Sequence, residues 1–150
     1  MRKLLLLTTF ILALTFSSSA SFAEWKKVSS SGGGANTFFL DFERIRKHGG
    51  FVYFWSLEDW IKPDKRGYVS SKTYHKGDCN LFRYSFLSIS DYKEPMGRGT
   101  GRNATYNDNE WSYPSPNSVG ERVFKYVYAH AKKLRGKNLL STNMKCFRQK

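Results

Sequence analysis

The sharpest alternation of the chain lies in residues 51–57. Phe51, Tyr53, Trp55 and Leu57 fall on one face of an extended segment, and Val52 and Phe54 on the other. Successive side chains of a strand point to opposite faces. A strand apolar on both faces belongs at the centre of a sheet that is covered on both sides, so Trp55 is read as core. Residues 37–42 form a second strand, with Phe38, Leu40 and Phe42 opposite Phe39 and Asp41, and residues 25–29 a short first one. Between these two, the run Ser29-Ser30-Ser31-Gly32-Gly33-Gly34 is a flexible break. Residues 68–75 alternate more weakly and read as a strand with one wet face. Residues 79–92 make a long strand in which Phe82, Tyr84 and Phe86 oppose Leu81, Arg83, Ser85, Leu87 and Ile89.

The connections follow from glycine and proline. Residues 43–47 are a polar connector ended by Gly49-Gly50, residues 60–67 a hairpin loop punctuated by Pro63 and Gly67, and residues 94–102 a loop. Residues 111–113 are expected to close the sheet as a short last strand, which Pro114 and Pro116 stop.

The period then changes. Val119, Val123, Tyr126, Val127, His130 and Leu134 recur at spacings of three and four, one apolar stripe of a helix. Ser118 followed by Glu121 is a capping box at its start. Lys132, Lys133 and Arg135 sit in its last turn, where the helix dipole favours cations, and Gly136 ends it. A helix over residues 118–135 spans roughly 27 Å, enough to lie across a sheet of five or six strands. Strands first and one helix last predict an α+β domain: an antiparallel sheet of about five to six strands with one C-terminal helix packed across one face.

The N-terminal residues stand apart from this pattern. Arg2 and Lys3 precede an apolar stretch that gives way to small residues ending in Ser21-Phe22-Ala23. That is the layout of a signal peptide cleaved after Ala23, and the apolar core is shorter than the roughly 20 residues of a membrane span. The expected organisation is a signal peptide over 1–23, one domain over 24–136 and a basic tail over 137–150. The product is exported, to the periplasm or the cell surface or beyond, with no transmembrane span once the leader is gone.

Charge then narrows the partners. The whole chain has 25 Lys and Arg against 12 Asp and Glu, a net +13, and loss of Arg2 and Lys3 leaves +11 on the mature domain. Such a balance speaks to partners and solubility rather than to fold. An exported cation meets an acidic protein face or an anionic surface ligand, whereas nucleic acid lies elsewhere. Lys132, Lys133, Arg135 and Lys137, together with Trp60 as the ring left most exposed, form the expected binding surface. An exposed strand at a sheet edge offers a second copy a place to pair as a homodimer.

Few residues suggest chemistry. Cys79 and Cys146 are the two cysteines, and in an oxidising compartment two thiols usually pair. Free thiols or a metal-ligating Cys79 with His75 are the alternatives, although structural zinc requires four ligands and no second pair is visible. The run Met96-Gly97-Arg98-Gly99-Thr100-Gly101-Arg102 could cradle a phosphate, but it lacks the strand–loop–helix context of a phosphate-binding loop and reads as a hairpin connection. His48, His75 and His130 do not cluster in sequence, and Glu58-Asp59, adjacent in a strand, face opposite ways. No catalytic, cofactor or metal site is assigned, and the chain is read as a non-enzyme.

The run Tyr53-Phe54-Trp55-Ser56-Leu57 with Asp59, then Ser71-Lys72, Tyr74, Cys79 and Arg83, then Trp111, Pro116 and Ser118 before the helix, resembles the surface-adhesin protein E family of bacterial envelope proteins. The resemblance covers about residues 25–134. It implies a sheet of about six antiparallel strands with a C-terminal helix, a disulfide tying helix to sheet, and an adhesin role in binding host matrix and plasma proteins. Family members tend to carry the second cysteine in the helix, at the position of Tyr128 here. This chain offers Cys146 in its place, and it lacks the lipidation cysteine of the founding adhesin. The resulting expectation is a non-enzymatic adhesin or binding module, with a periplasmic accessory or inhibitor module that binds an envelope protein or ligand as the alternative.

Overall fold

A computed structural model describes residues 24–106 and 110–137, with side chains through Leu134. Its strands are β1 (Trp25–Ser30), β2 (Asn36–Asp41), β3 (Arg46–His48), β4 (Phe51–Trp60), β5 (Ser70–Asp78), β6 (Arg83–Glu94) and β7 (Arg98–Thr105), followed by helix α1 (Val119–Lys137). All pair antiparallel in one sheet of order β1-β2-β4-β5-β6-β7, with the short β3 also on β4. The expected α+β architecture is the observed one.

One face of the sheet is closed by the helix. Val52 and Phe54 of β4 and Leu40 of β2 join Ile45, Phe124, Val127 and Ala131 in a buried cluster, with Val28, Phe42, Phe82, Tyr84, Val123 and Tyr128 packed around it. Gly77 of β5 lets the helix approach this closely, because a Cβ there would lie 2.5 Å from the Phe124 ring. The helix stripe differs from the periodic reading. Phe124 and Ala131 are buried and Tyr126 is 49% exposed, so the inward face is rotated toward residues 120, 124, 127 and 131. A spacing pattern that omits alanine and one phenylalanine leaves that rotation undetermined.

The helix start follows its residues. Glu121 N–H donates to Ser118 Oγ at 3.1 Å, and the Glu121 carboxylate accepts from Asn117 N–H at 2.9 Å. The box therefore closes one residue earlier than the usual reciprocal bond to the cap residue itself. Lys125, 2.9 Å from Glu121, and then the Asn117 N–H hold the Glu121 carboxyl below the usual carboxylate range.

Three expectations are corrected. The stretch 94–102 is not simply a loop: after a turn at Pro95–Gly97 the chain runs as β7 along β6. Its alternating glycines hid the strand, since Gly has little strand propensity and edge pairing here is carried by backbone. Residues 111–113 form no strand; only Ser112 makes an isolated bridge to Tyr84. The long strand starts at Arg83 instead of 79, leaving Cys79 in the β5–β6 turn. There Asp78 Oδ1 accepts the N–H groups of Asn80 and Leu81 at 3.0 and 3.2 Å, and turn formation wins over extension. The connector at 43–47 also contains structure, a single 3-10 turn at Phe42–Arg44 and the start of β3.

The face away from the helix is covered only in part. The Pro95–Gly97 turn straps over β4 and β5 near Leu57, which is fully buried. Met96 N–H donates to Asp59 Oδ1 at 2.8 Å, Lys72 Nζ to Gly97 O at 2.8 Å, and Gly97 N–H to Ser70 Oγ at 3.0 Å. Gly97 holds φ +65°, and a Cβ on it would meet the Lys72 side chain at 2.1 Å, so only glycine suits both the turn and the contact. The glycine-rich run is thus a hairpin connection with a packing task.

Candidate functional site

Between this strap and the chain at residues 110–113 lies an aromatic floor on the helix-free face. The β4–β5 register sets Tyr53 opposite Lys76 and Trp55 opposite Tyr74. The Trp55 and Tyr74 rings stack with centroids 4.8 Å apart, and Tyr53 leans on Tyr74 at 6.1 Å. All three are half-buried. Trp55, read from sequence as core, therefore sits on a partly open face, because β4 is apolar on both sides while a helix covers only one.

Cations rim this floor. Lys76 Nζ lies 4.6 Å from the Phe51 ring centroid and 5.7 Å from that of Trp111, and the Arg83 guanidinium lies 4.3 Å above Trp111. Phe51 and Trp111 are themselves stacked at 5.8 Å. Lys72 Nζ stands 4.9 Å from the Tyr92 ring. Burial, and then the neighbouring charge of Arg44, lowers the Lys72 pKa, while burial and then Tyr53 raise that of the Tyr74 phenol. Arg46, opposite Tyr53 in the β3–β4 register, is exposed.

The carboxylates that share this face are already engaged. Asp41 lies 3.3 Å from Arg44 Nε, Asp78 lies 3.2 Å from Arg83 Nε, and Asp59 accepts the Met96 N–H. The result is an aromatic surface with cations around it, suited to stacking and to attracting negative charge. The sequence signal was present in Lys72, Tyr74 and Lys76 at alternate positions of β5, facing Tyr53 and Trp55. Reading each strand alone missed it, because the cations and the rings come from different strands.

The residues expected from sequence to form one binding surface are not brought together. Trp60 is half-buried at the end of β4, where its indole N–H bonds the Glu58 carboxylate. Lys132 and Lys133 are exposed on α1, a different element from the strand that Trp60 ends. The side chains of Arg135 and Lys137 lie outside the described residues, as does Cys146. Cys79 is buried in the core cluster, against which Tyr128 of the helix also packs. Among the described residues no three His, Cys, Asp or Glu side chains gather as metal ligands, and no helix is long and apolar enough to cross a membrane.

A single antiparallel sheet, shut on one face by a helix and presenting rings and cations on the other, defines a small α+β domain. The sequence profile of the surface-adhesin protein E family matches residues 25–127, and the chain belongs to that family. Its fold is similar to that of Haemophilus influenzae protein E. One crystal form of that protein aligns with a TM-score of 0.53 at 13% identity, over 69% of this chain and 87% of that one. A second structure aligns at 0.52 and 14% identity, over 71% and 86%, and protein E from a non-typeable strain at 0.50 and 13%, over 75% and 78%. A comparison with curated proteins gives no match.

Proposed function

We propose that this chain is an exported bacterial envelope protein that acts as an adhesin, by contact and without catalysis, and that it takes an acidic partner protein on its helix-free face. The observation that carries the reading is the Tyr53–Tyr74–Trp55 floor rimmed by Arg44, Arg46, Lys72 and Lys76, with neighbouring carboxylates already paired. Membership of an adhesin family supports it. Rings supply area at little cost in side-chain entropy, and the surrounding cations supply steering toward negative charge. The basic tail after the helix adds to attraction at a distance, and screening acts within about 8 Å at physiological salt.

The test is binding of the chain to acidic and neutral protein-coated surfaces across a salt series, repeated with Trp55→Ala, with Lys76→Glu and with the chain cut after Arg135. The proposal expects preference for the acidic surface, steep weakening with salt, and loss of binding in both sheet variants. Binding that survives both sheet variants but vanishes with the tail would move the site to the C-terminal basic segment and overturn this one. Binding indifferent to salt and surface charge would equally overturn it.

A further inference from the structure

The opposite side of the sheet holds a cavity that the contact surface does not use. Its volume is about 210 Å³, and it lies between the first turns of α1 and strands β2, β4, β5 and β6. Phe38, Phe54, Phe86 and Phe124 supply ring walls, and Val119 and Val123 roof it from the helix. An apolar cavity of roughly 150 Å³ admits a benzene ring, so this one has room for a ring and one substituent. Aromatic walls favour an aromatic guest through offset and edge-on contacts.

The wall also carries polar groups that the fold does not fully use. His75 is 94% buried and stacks on Phe54 at 4.6 Å, edge-on to Tyr84 at 5.6 Å. Its Nε2 meets Ser56 Oγ at 2.7 Å, while Nδ1 has no hydrogen-bond partner. Nδ1 is itself shielded from solvent, so the polar groups offered to a guest come from the other lining residues, Glu58, Ser56 and Thr73. Glu58 adds a carboxyl oriented by Asn36 Nδ2, which donates to its Oε1 at 2.7 Å. Burial first raises the Glu58 pKa, against the hydrogen bonds from Trp60 and Asn36. Thr73 adds a hydroxyl.

We propose that this cavity is a binding site for a small neutral aromatic molecule bearing one hydroxyl group, its ring among the four phenylalanines and beside the His75 ring, and its hydroxyl bonded to the polar wall formed by Glu58 and Ser56. A carboxylate on the ring is excluded, since it would be stripped of water beside phenyl rings and would face Glu58. A ring without a hydroxyl fits but makes no hydrogen bond to the polar wall at Glu58. The site is independent of the acidic-partner surface, because the two occupy opposite faces of the sheet.

The test uses the chain with phenol, toluene and benzoate as probes, followed by nuclear magnetic resonance of the His75 ring nitrogens and of the Phe and Val side chains. Phenol is expected to saturate in the millimolar range or below and to shift the His75 ring nitrogens. It should bind about tenfold tighter than toluene, the worth of about one hydrogen bond, and benzoate should not saturate. Val123→Phe, which fills the roof, should abolish the phenol shifts while thermal unfolding confirms the fold. Toluene binding as well as phenol would overturn the polar recognition, and benzoate binding or no saturation by phenol would overturn the site. These three comparisons on the unaltered chain decide the matter even if Val123→Phe does not fold.

Discussion

Arg122, in the first turn of the helix, donates from Nε to Ser29 Oγ of β1 at 2.9 Å, across 93 positions of sequence. Its other nitrogens reach Ser30 O at 3.3 Å and Asn117 O at 2.9 Å. A cation near a helix N-terminus opposes the macrodipole, so local preference argues against this residue. The guanidinium suits the position because one planar fork meets three acceptors, two of them on β1, and so ties α1 to β1. Arg122→Ala should cost about 1–2 kcal/mol, read as a lower urea midpoint with unchanged slope. Arg122→Lys should recover little of it, since one ammonium cannot reproduce the fork.

Gly77 gives a second stability test. A methyl group there would lie 2.5 Å from Phe124 and 2.9 Å from Val52, both fully buried. Overpacking of this kind costs about 1–3 kcal/mol. Gly77→Ala should therefore lower the thermal midpoint, and the loss should shrink when combined with Phe124→Leu. Additive losses in that double variant would show that the clash lies elsewhere.

Burial lowers the His75 pKa to about 3, against 6.5 in the unfolded chain. Between those values the unfolded state binds a proton that the native state refuses, so stability falls as pH drops from about 6.5 toward 3 and levels off below. At about 1.4 kcal/mol per pH unit, going from pH 6.5 to 4.5 should remove about 2–3 kcal/mol through this residue. Urea unfolding across that range should show the excess slope in the unaltered chain and not in His75→Gln, whose carboxylates titrate alike. Equal slopes in the two would mean that the ring is protonated inside the fold.

What could be read from the sequence divides along physical lines. Residues 51–57 and 37–42 were legible because large apolar side chains mark the period directly, and the helix because Ser118 and Glu121 mark its start. β7 was not, because an edge strand of glycine and arginine pairs through backbone that the side chains do not report. The exposed Tyr126 and the buried Phe124 show a further limit: stripe residues identify a helix before they fix its rotation, which the close approach to Gly77 decides. The candidate contact face needed strand register to be seen at all, since Trp55 and Tyr74 are neighbours only across β4 and β5.

A disulfide between Cys79 and Cys146 remains our expectation for the oxidised chain. Cys79 lies in the β5–β6 turn, buried in the core cluster on the helix side of the sheet. Non-reducing peptide mapping should give one cross-linked pair. Reduction should then lower stability by up to roughly 4 kcal/mol, the loop-entropy value for so long a separation. Recovery of both cysteines as alkylated peptides without reductant would reject the bridge.

Cleavage of the leader after Ala23 should give an exported protein whose first residue is Glu24, one residue before β1 begins at Trp25. Mass analysis of the exported form measures this directly. An N-terminus several residues further on would cut into β1 and remove Lys26 and Lys27, which pair with Leu40 and Phe39 of β2; intact mass and loss of folded signal would reveal it together.

The helix that closes the sheet is also the last described element to emerge as the chain is delivered to its compartment. Strands β4 to β7 each pair with the next one in sequence, so the meander can assemble as it emerges, through contacts of short range. Its greasy side, with Leu40, Val52 and Phe54, then stands bare until Phe124, Val127 and Ala131 have emerged. In that interval the nascent sheet is a substrate for aggregation or for holding factors, and the arriving helix ends the exposure as the chain's own chaperone.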